Sequence, residues 1–129
     1  IVVCLFLLFC SAACMAQSYL GRWNVTSFTQ TTFAPDGSVL KDPVTKVTPD
    51  YWIEINNDTY IGHRHNKINT YTTKANPDSL ILHKPGDPSF GDILITNIQI
   101  AGNQFAFTAT SYNSKNEKTV IVYQCVRRN

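Results

Sequence analysis

The side chains beyond residue 16 that are most capable of chemistry are three histidines and one cysteine. His63 and His65 are two residues apart in an extended segment, so both imidazoles would share one strand face, a spacing that can bind zinc or copper. A metal site needs a third ligand, and His83 is the only other histidine. We therefore favour a polar strand end over a metal site and predict no bound metal.

A nucleophile is hard to identify in this chain. No serine lies in a nucleophile-elbow pattern, and Cys125 has no histidine near it in sequence. Convergent polar groups for an active site are limited to Tyr71, Gln124 and His63. We predict that Cys125 packs as a small hydrophobic residue, that the protein is not an enzyme, and that it uses no cofactor.

The elements that must position these residues are short alternating segments rich in Val, Ile, Thr, Phe and Tyr, separated by Gly, Pro, Asn and Asp. Residues 34–50 contain three prolines and are predicted as a long loop that can include a short strand. This loop would cover an open end or meet a partner, with Phe33 and Val39 as its anchors. The predicted strands are residues 22–31, 51–55, 59–63, 67–74, 80–84, 92–100, 104–112 and 118–127.

These segments predict an all-β protein of about eight antiparallel strands. The connections are too short for crossover helices, so an up-and-down meander is the simplest architecture. Eight strands can close into a barrel that is filled by side chains or holds one small ligand, and closure removes exposed edges. A two-sheet sandwich is the alternative.

Residues at the start of the first predicted strand and at the end of the last predict how such a barrel closes. Gly21 precedes Trp23 by two residues at the start of the first strand, and Arg127 and Arg128 end the last. A guanidinium laid over Trp23 would stack on the indole and plug one end of the barrel. Arg127 fits the alternation of the last strand better than Arg128 does. We assign Gly21, Trp23 and Arg127 to structural closure.

The same residues carry a resemblance. Tyr19-Leu20-Gly21-Arg22-Trp23-Asn24-Val25-Thr26 resembles the first strand of small lipocalin-like, calycin-type domains of exported bacterial proteins. Tyr51-Trp52-Ile53-Glu54-Ile55-Asn56-Asn57-Asp58-Thr59-Tyr60 resembles their second-strand hairpin, and Tyr123-Gln124-Cys125-Val126-Arg127 resembles their closing strand. Ile53 stands where Phe is common, and Asp58 replaces the turn glycine.

The resemblance implies a barrel that binds a small apolar molecule, such as a lipid, in its interior. The alternative is a solid barrel that binds a protein partner, for example as an inhibitor of secreted peptidases. Interior size separates the two, because a carrier needs a cavity of about 300 Å³ or more. The predicted ligand-lining residues are Trp23, Tyr51, Ile53, Phe105, Phe107 and Tyr123.

Residues 1–16 carry no charge, and their apolar run is shorter than the ~20 residues that span a bilayer. They fit a secretory signal cleaved between Ala16 and Gln17, and we expect the sequence to begin inside that signal. Ser11-Ala12-Ala13-Cys14 also resembles a lipobox, so a lipid anchor at Cys14 stays open. Both routes predict export, to the periplasm or the medium, of one domain formed by residues 17–129.

Charge and cysteine content argue against several classes of protein. The net charge is +2 and no basic run precedes the final arginines, which argues against a nucleic-acid partner. Only Cys125 lies beyond the predicted signal, so an intrachain disulfide would need Cys14 to be retained. We therefore expect a monomer without a transmembrane segment, stabilised by its hydrophobic core.

Overall fold

The computed structural model describes residues 19–47, 49–87 and 91–129. The predicted signal, including Cys14, lies outside the described residues. None of the described residues forms a helix long and apolar enough to span a membrane. The elements are β1 (Gly21–Phe33), β2 (Val39–Val47), β3 (Tyr51–Ile55), β4 (Thr59–Arg64), β5 (Lys67–Ala75), β6 (Leu80–His83), β7 (Ile93–Ala101), β8 (Gln104–Tyr112) and β9 (Lys118–Arg127).

The strands form one antiparallel sheet in the order β2-β1-β3-β4-β5-β6-β7-β8-β9, and an additional β1–β9 pairing closes it. Eight strands therefore make a closed barrel, and β2 is an extra strand outside the ring. This confirms the predicted all-β up-and-down barrel and not the sandwich. One end of the barrel holds the start of β1 and the end of β9; the other end, which we call the mouth, holds the β4–β5 turn.

Residues 34–50 differ from the predicted loop, because nine of them form β2. β2 pairs with the second half of β1, whereas β3 pairs with Gly21 to Asn24 of the same strand. Pro43 is tolerated because β2 is an edge strand and the β1–β2 register is irregular at this point. Every residue of β2 is exposed, so this segment extends the sheet and does not cover the mouth.

A bulge in β1 changes which side chains enter the core. Strict alternation from Trp23 and Val25 would turn Ser27 inward and Phe28 outward. The β1–β9 register shifts between Val25 and Ser27, and Phe28 is buried instead. The Thr26 hydroxyl donates a hydrogen bond to the Gln124 carbonyl across this irregular pair. The bulge thus adds a large aromatic ring near the mouth.

The core is continuous and apolar, and no buried polar or charged residue is found in the described part of the chain. The rings of Trp23, Phe105 and Phe107 contact one another in series at tilted angles, with ring centroids 4.9 Å apart at each step. Phe107 continues to Tyr123 at 4.8 Å. The remaining buried residues are Val25, Phe28, Ile53, Ile55, Tyr60, Leu80, Leu82, Ile95, Ala109 and Cys125.

The closed end is built on the predicted stack. The guanidinium carbon of Arg127 lies 3.7 Å from the Trp23 ring centroid, and its Nη1 donates to the Leu20 carbonyl at 2.9 Å. The indole Nε1 donates to the Tyr19 carbonyl at 2.9 Å. Gly21 has a φ of 119°, and a Cβ there would lie 3.0 Å from Arg127 Nη1. A glycine is therefore required for this approach.

Arg128 stacks on the other tryptophan, on the outer face of the same seam. Its guanidinium carbon lies 4.4 Å from the Trp52 ring centroid, and its Nη1 donates to Asn24 Oδ1 at 2.8 Å. Its backbone nitrogen also donates to the Arg22 carbonyl. Two arginines thus fasten the end of β9 to β1 and β3 from opposite faces.

The two stacks predict unequal losses of stability. Arg127→Gln removes a desolvated cation–π contact and a hydrogen bond to Leu20, and we expect it to lower the free energy of unfolding by about 2–3 kcal/mol. Arg128→Gln is the matched control and should cost less than about 1 kcal/mol, because that side chain is exposed. Urea unfolding of both variants measures the difference, and equal losses would contradict the closing role of Arg127.

Candidate functional site

The mouth of the barrel contains a cavity of about 160 Å³. One wall is apolar, and the other carries phenol, amide and guanidinium groups. The residues that line it are Tyr51, Tyr60, Gly62, Arg64, Asn69, Tyr71, Leu82, Ile93, Ile95, Ala109 and Tyr123. This is the one place in the described interior where polar groups converge.

The cavity exists because two inward positions carry almost no side chain. Gly62 lies on β4 between Tyr60 and Arg64, the inward alternation of that strand, and it is buried. A Cβ built on Gly62 would have the Asn69 carbonyl oxygen as its nearest contact, at 4.0 Å. Ala109 occupies the equivalent small position on β8. Larger residues at these positions would fill the space.

Four tyrosines surround the cavity. Tyr51 meets Tyr123 edge-on with ring centroids 6.1 Å apart, and Tyr60 meets Tyr71 edge-on at 5.9 Å. Burial raises the pKa of all four phenols, and their mutual electrostatic repulsion raises the pKa of Tyr60, Tyr71 and Tyr123 further. The pKa of Tyr60, which is completely enclosed, lies well above its usual value of 10.0. All four hydroxyls therefore remain protonated at neutral pH.

Arg64 lies at the rim of the cavity and is held by aromatic rings. Its guanidinium carbon is 5.3 Å from the Phe28 ring centroid and 5.6 Å from that of Tyr51. Beyond β5, the next strand of the ring, Lys84 Nζ lies 5.1 Å from the Tyr71 ring centroid and donates to Asn69 Oδ1 at 2.8 Å. Both cations at the mouth are thus positioned by contacts with aromatic side chains.

The structure separates the residues predicted to line the interior into two groups. Tyr51 and Tyr123 line the cavity. Trp23, Ile53, Phe105 and Phe107 do not line the cavity; they are 0–1% exposed and belong to the buried core.

Sequence reasoning missed four important lining residues: Gly62, Tyr60, Arg64 and Asn69. The signal for three of them was the alternation of Tyr60, Gly62 and Arg64. The predicted strand ended at residue 63, so Arg64 was left outside it.

The histidines do not come together. His63 faces outward and stacks on Trp52, with ring centroids 3.6 Å apart and planes at 3°. His65 is in the β4–β5 turn with a φ of 55°, which turns it away from the strand alternation. His83 Nδ1 lies 2.9 Å from Asp92 Oδ1. No group of three metal-ligating side chains occurs among the described residues.

Cys125 is buried in the core, below the cavity. Its side chain belongs to the apolar cluster, and burial raises the pKa of the thiol from 9.0 to about 12. A thiol with this pKa carries almost no thiolate at neutral pH and is a poor nucleophile.

A larger groove of about 680 Å³ lies on the outer wall. It forms because β6 pairs only with residues 93–95 of β7, which leaves the next part of β7 without a neighbouring strand on that side. Ile98 and Ile100 line it, and Tyr19 stands at its edge. We take the smaller mouth cavity as the candidate site because the barrel encloses it and its polar groups converge.

Comparison with known protein families and with curated proteins found no match. The closed eight-stranded antiparallel barrel is consistent with a calycin-like fold. The candidate site therefore rests on its geometry.

The four tyrosines around the cavity predict that the protein loses stability at alkaline pH. Up to about pH 10, tyrosines are protonated in both the folded and the unfolded chain. Above that pH the unfolded chain loses protons that buried Tyr60 and Tyr123 retain, so stability falls by about 1.4 kcal/mol per pH unit for each. Urea unfolding at several pH values measures this slope, and Tyr60→Phe should reduce it. An unchanged slope in that variant would contradict the buried state of Tyr60.

Cys125 provides an independent test of core packing. At about pH 8 we expect a thiol-reactive dye to modify the folded protein at a rate at least ~100-fold below that of the urea-unfolded chain, because both burial and the raised pKa suppress the thiolate. Equal rates in the two states would show that solvent reaches the core below the cavity.

Proposed function

We propose that this protein is an exported, lipocalin-like binding protein that holds one small ligand in the mouth cavity and performs no catalysis. The observation that carries the proposal is the cavity itself, an opening of about 160 Å³ with polar groups on one wall in an otherwise filled barrel. The lipocalin-like assignment is supported by the barrel topology together with the Gly21, Trp23 and Arg127 closure. Export is supported by the uncharged apolar composition of residues 1–16.

The size of the cavity limits the ligand. A volume of about 160 Å³ equals about five liquid water molecules at ~30 Å³ each. It lies below the ~300 Å³ at which pockets for drug-sized ligands begin. A lipid chain would have to displace Phe105 and Phe107 from the solid part of the barrel. The geometry therefore favours a single-ring or short-chain compound over a lipid.

The cavity wall is also fixed before any ligand arrives. Tyr123 stacks on Phe107 and contacts Phe28 at 5.9 Å, and Phe28 contacts Tyr51 at 6.4 Å. A wall held by neighbouring rings loses little conformational freedom on binding, which favours affinity even for a small ligand.

A second candidate function is supported by β2. Its outer edge has no neighbour in the described sheet, and Val39, Leu40, Val44 and Val47 are exposed on it. Such an edge can pair with another chain, although Pro43 and the lysines of β2 reduce that tendency.

Light scattering tests this second function for the simplest partner, a second copy of the chain. A dimer that Val44→Lys returns to a monomer would support this function, and a monomer at all concentrations would count against it.

The cavity function is tested by filling the cavity from Gly62. We expect Gly62→Leu to abolish binding of benzyl alcohol, a neutral single-ring probe, because its side chain would occupy the space. Gly62→Ala is the matched control and should reduce binding only partly, because its Cβ has no contact closer than 4.0 Å. Ligand-observed NMR suits the expected dissociation constant, on the order of 1 mM for so small a compound.

Either of two results would contradict the cavity function. One is that benzyl alcohol and other single-ring probes show no binding to the unmodified protein. The other is that Gly62→Leu folds normally and binds the probe as tightly as the unmodified protein does. Circular dichroism and the urea midpoint of each variant establish that the fold is retained.

A further inference from the structure

We infer that the ligand of the mouth cavity is a small organic anion, with its carboxylate held by Arg64 and the tyrosine hydroxyls and its apolar body against Leu82, Ile93 and Ile95. This inference rests on the proposed function and specifies the chemistry of the ligand. The argument depends on the groups that line the cavity, on the environment of Arg64, and on the arrangement of the two walls.

The polar wall carries several hydrogen-bond donors and, in the described part of the chain, no negatively charged hydrogen-bond acceptor. Among the described residues, Arg64 is the only charged side chain that lines the cavity, and no carboxylate lines it. The four phenols keep their protons at neutral pH because the ordinary phenol pKa is 10.0, and burial raises it further. None of them therefore opposes an anion with a charge of its own, and a neutral phenol is a hydrogen-bond donor for an anion. The side chains of Tyr51 and Tyr123 are also hydrogen-bonded to each other.

Arg64 has no acidic partner in the described part of the chain. The ion pairs found there are Arg22 with Glu54 and His83 with Asp92. The aromatic rings of Phe28 and Tyr51 contact the guanidinium of Arg64 instead. Stacking occupies the face of a guanidinium, while its N–H donors lie in the plane of the group and can accept a carboxylate.

Lys84, which contacts Tyr71 and Asn69 of β5, adds a second positive charge near the cavity. Its ammonium group donates to Asn69 Oδ1, which directs the amide oxygen of Asn69 toward the lysine. The amide nitrogen of Asn69 is then the group left to donate to a ligand. Arg64 and the amide of Asn69 therefore line a cavity that has no carboxylate among its described lining residues, and Lys84 lies next to Asn69.

The apolar wall accounts for the organic part of the ligand. Leu82 and Ile95 are buried, Ile93 packs against the core, and all three line the cavity beside Ala109. A hydrated inorganic ion would leave this wall unused. A carboxylate joined to a ring or a short branched chain would contact both walls.

Three probes of nearly equal shape test the inference: benzoate, benzyl alcohol and benzylammonium. We expect benzoate to bind at least about tenfold more tightly than benzyl alcohol, and benzylammonium to bind most weakly, because the anion alone gains charge-assisted hydrogen bonds. The affinity for benzoate should fall as salt concentration rises, whereas that for benzyl alcohol should not.

Arg64→Gln should remove the preference for benzoate over benzyl alcohol, because it deletes the ionic contact with the carboxylate. Lys67→Gln is the matched control. Lys67 pairs with Arg64 in the β4–β5 register and carries the same charge, but it does not line the cavity. This variant should retain most of the preference. Arg64→Lys, which keeps the charge but not the planar donor pair, should retain only part of it.

The outcomes separate the inference from the function on which it rests. If none of the three probes binds, the cavity function fails. If benzyl alcohol binds as tightly as benzoate, or if Lys67→Gln lowers the preference as much as Arg64→Gln does, the cavity still binds ligands but the anion site is overturned.

Discussion

The stack of Arg127 on Trp23 is the contact on which the rest of the barrel depends. It joins the last strand to the first, and both of its partners also bond to the backbone of residues 19 and 20. Closure pairs β1 with β9 along ten positions, so the last strand of the sheet does not end as an exposed edge. The contact needs Gly21, because a Cβ there would lie 3.0 Å from the guanidinium. Arg128 repeats the contact on the outside against Trp52, with weaker effect because water competes there.

Closure at one end allows the other end to remain open. Trp23, Phe105 and Phe107 are buried in the lower barrel, contact one another in series and provide a floor for the mouth. Above them, Gly62 and Ala109 leave space where larger side chains would continue the core. The site thus arises from two small side chains above a rigid aromatic floor. Its phenols are already oriented by their packing, so binding requires little rearrangement.

The sequence carried the fold more clearly than the site. The strands and the Gly21, Trp23 and Arg127 closure were predictable because alternation and an arginine in phase with buried residues are local patterns. In residues 34–50 the sequence predicted a loop with at most a short strand, because prolines normally exclude a strand, whereas the nine-residue β2 is an edge strand that tolerates Pro43. The inward turn of Phe28 depends on a bulge that alternation does not reveal. The cavity could not be predicted from the sequence, because it forms where Gly62 has no side chain. Whether a glycine leaves a cavity depends on which residues are its neighbours in the folded structure.

The central claim is that the mouth cavity receives one small ligand. Its most direct test is a crystal structure of residues 17–129 soaked with 4-bromobenzoate, in which the anomalous signal of bromine locates the ligand without bias. The account predicts one site inside the mouth, with the ring against Ile93 and Ile95 and the carboxylate within hydrogen-bonding distance of Arg64. Bromine only in the outer groove near Tyr19, or a mouth cavity that holds water alone at saturating ligand, would contradict it.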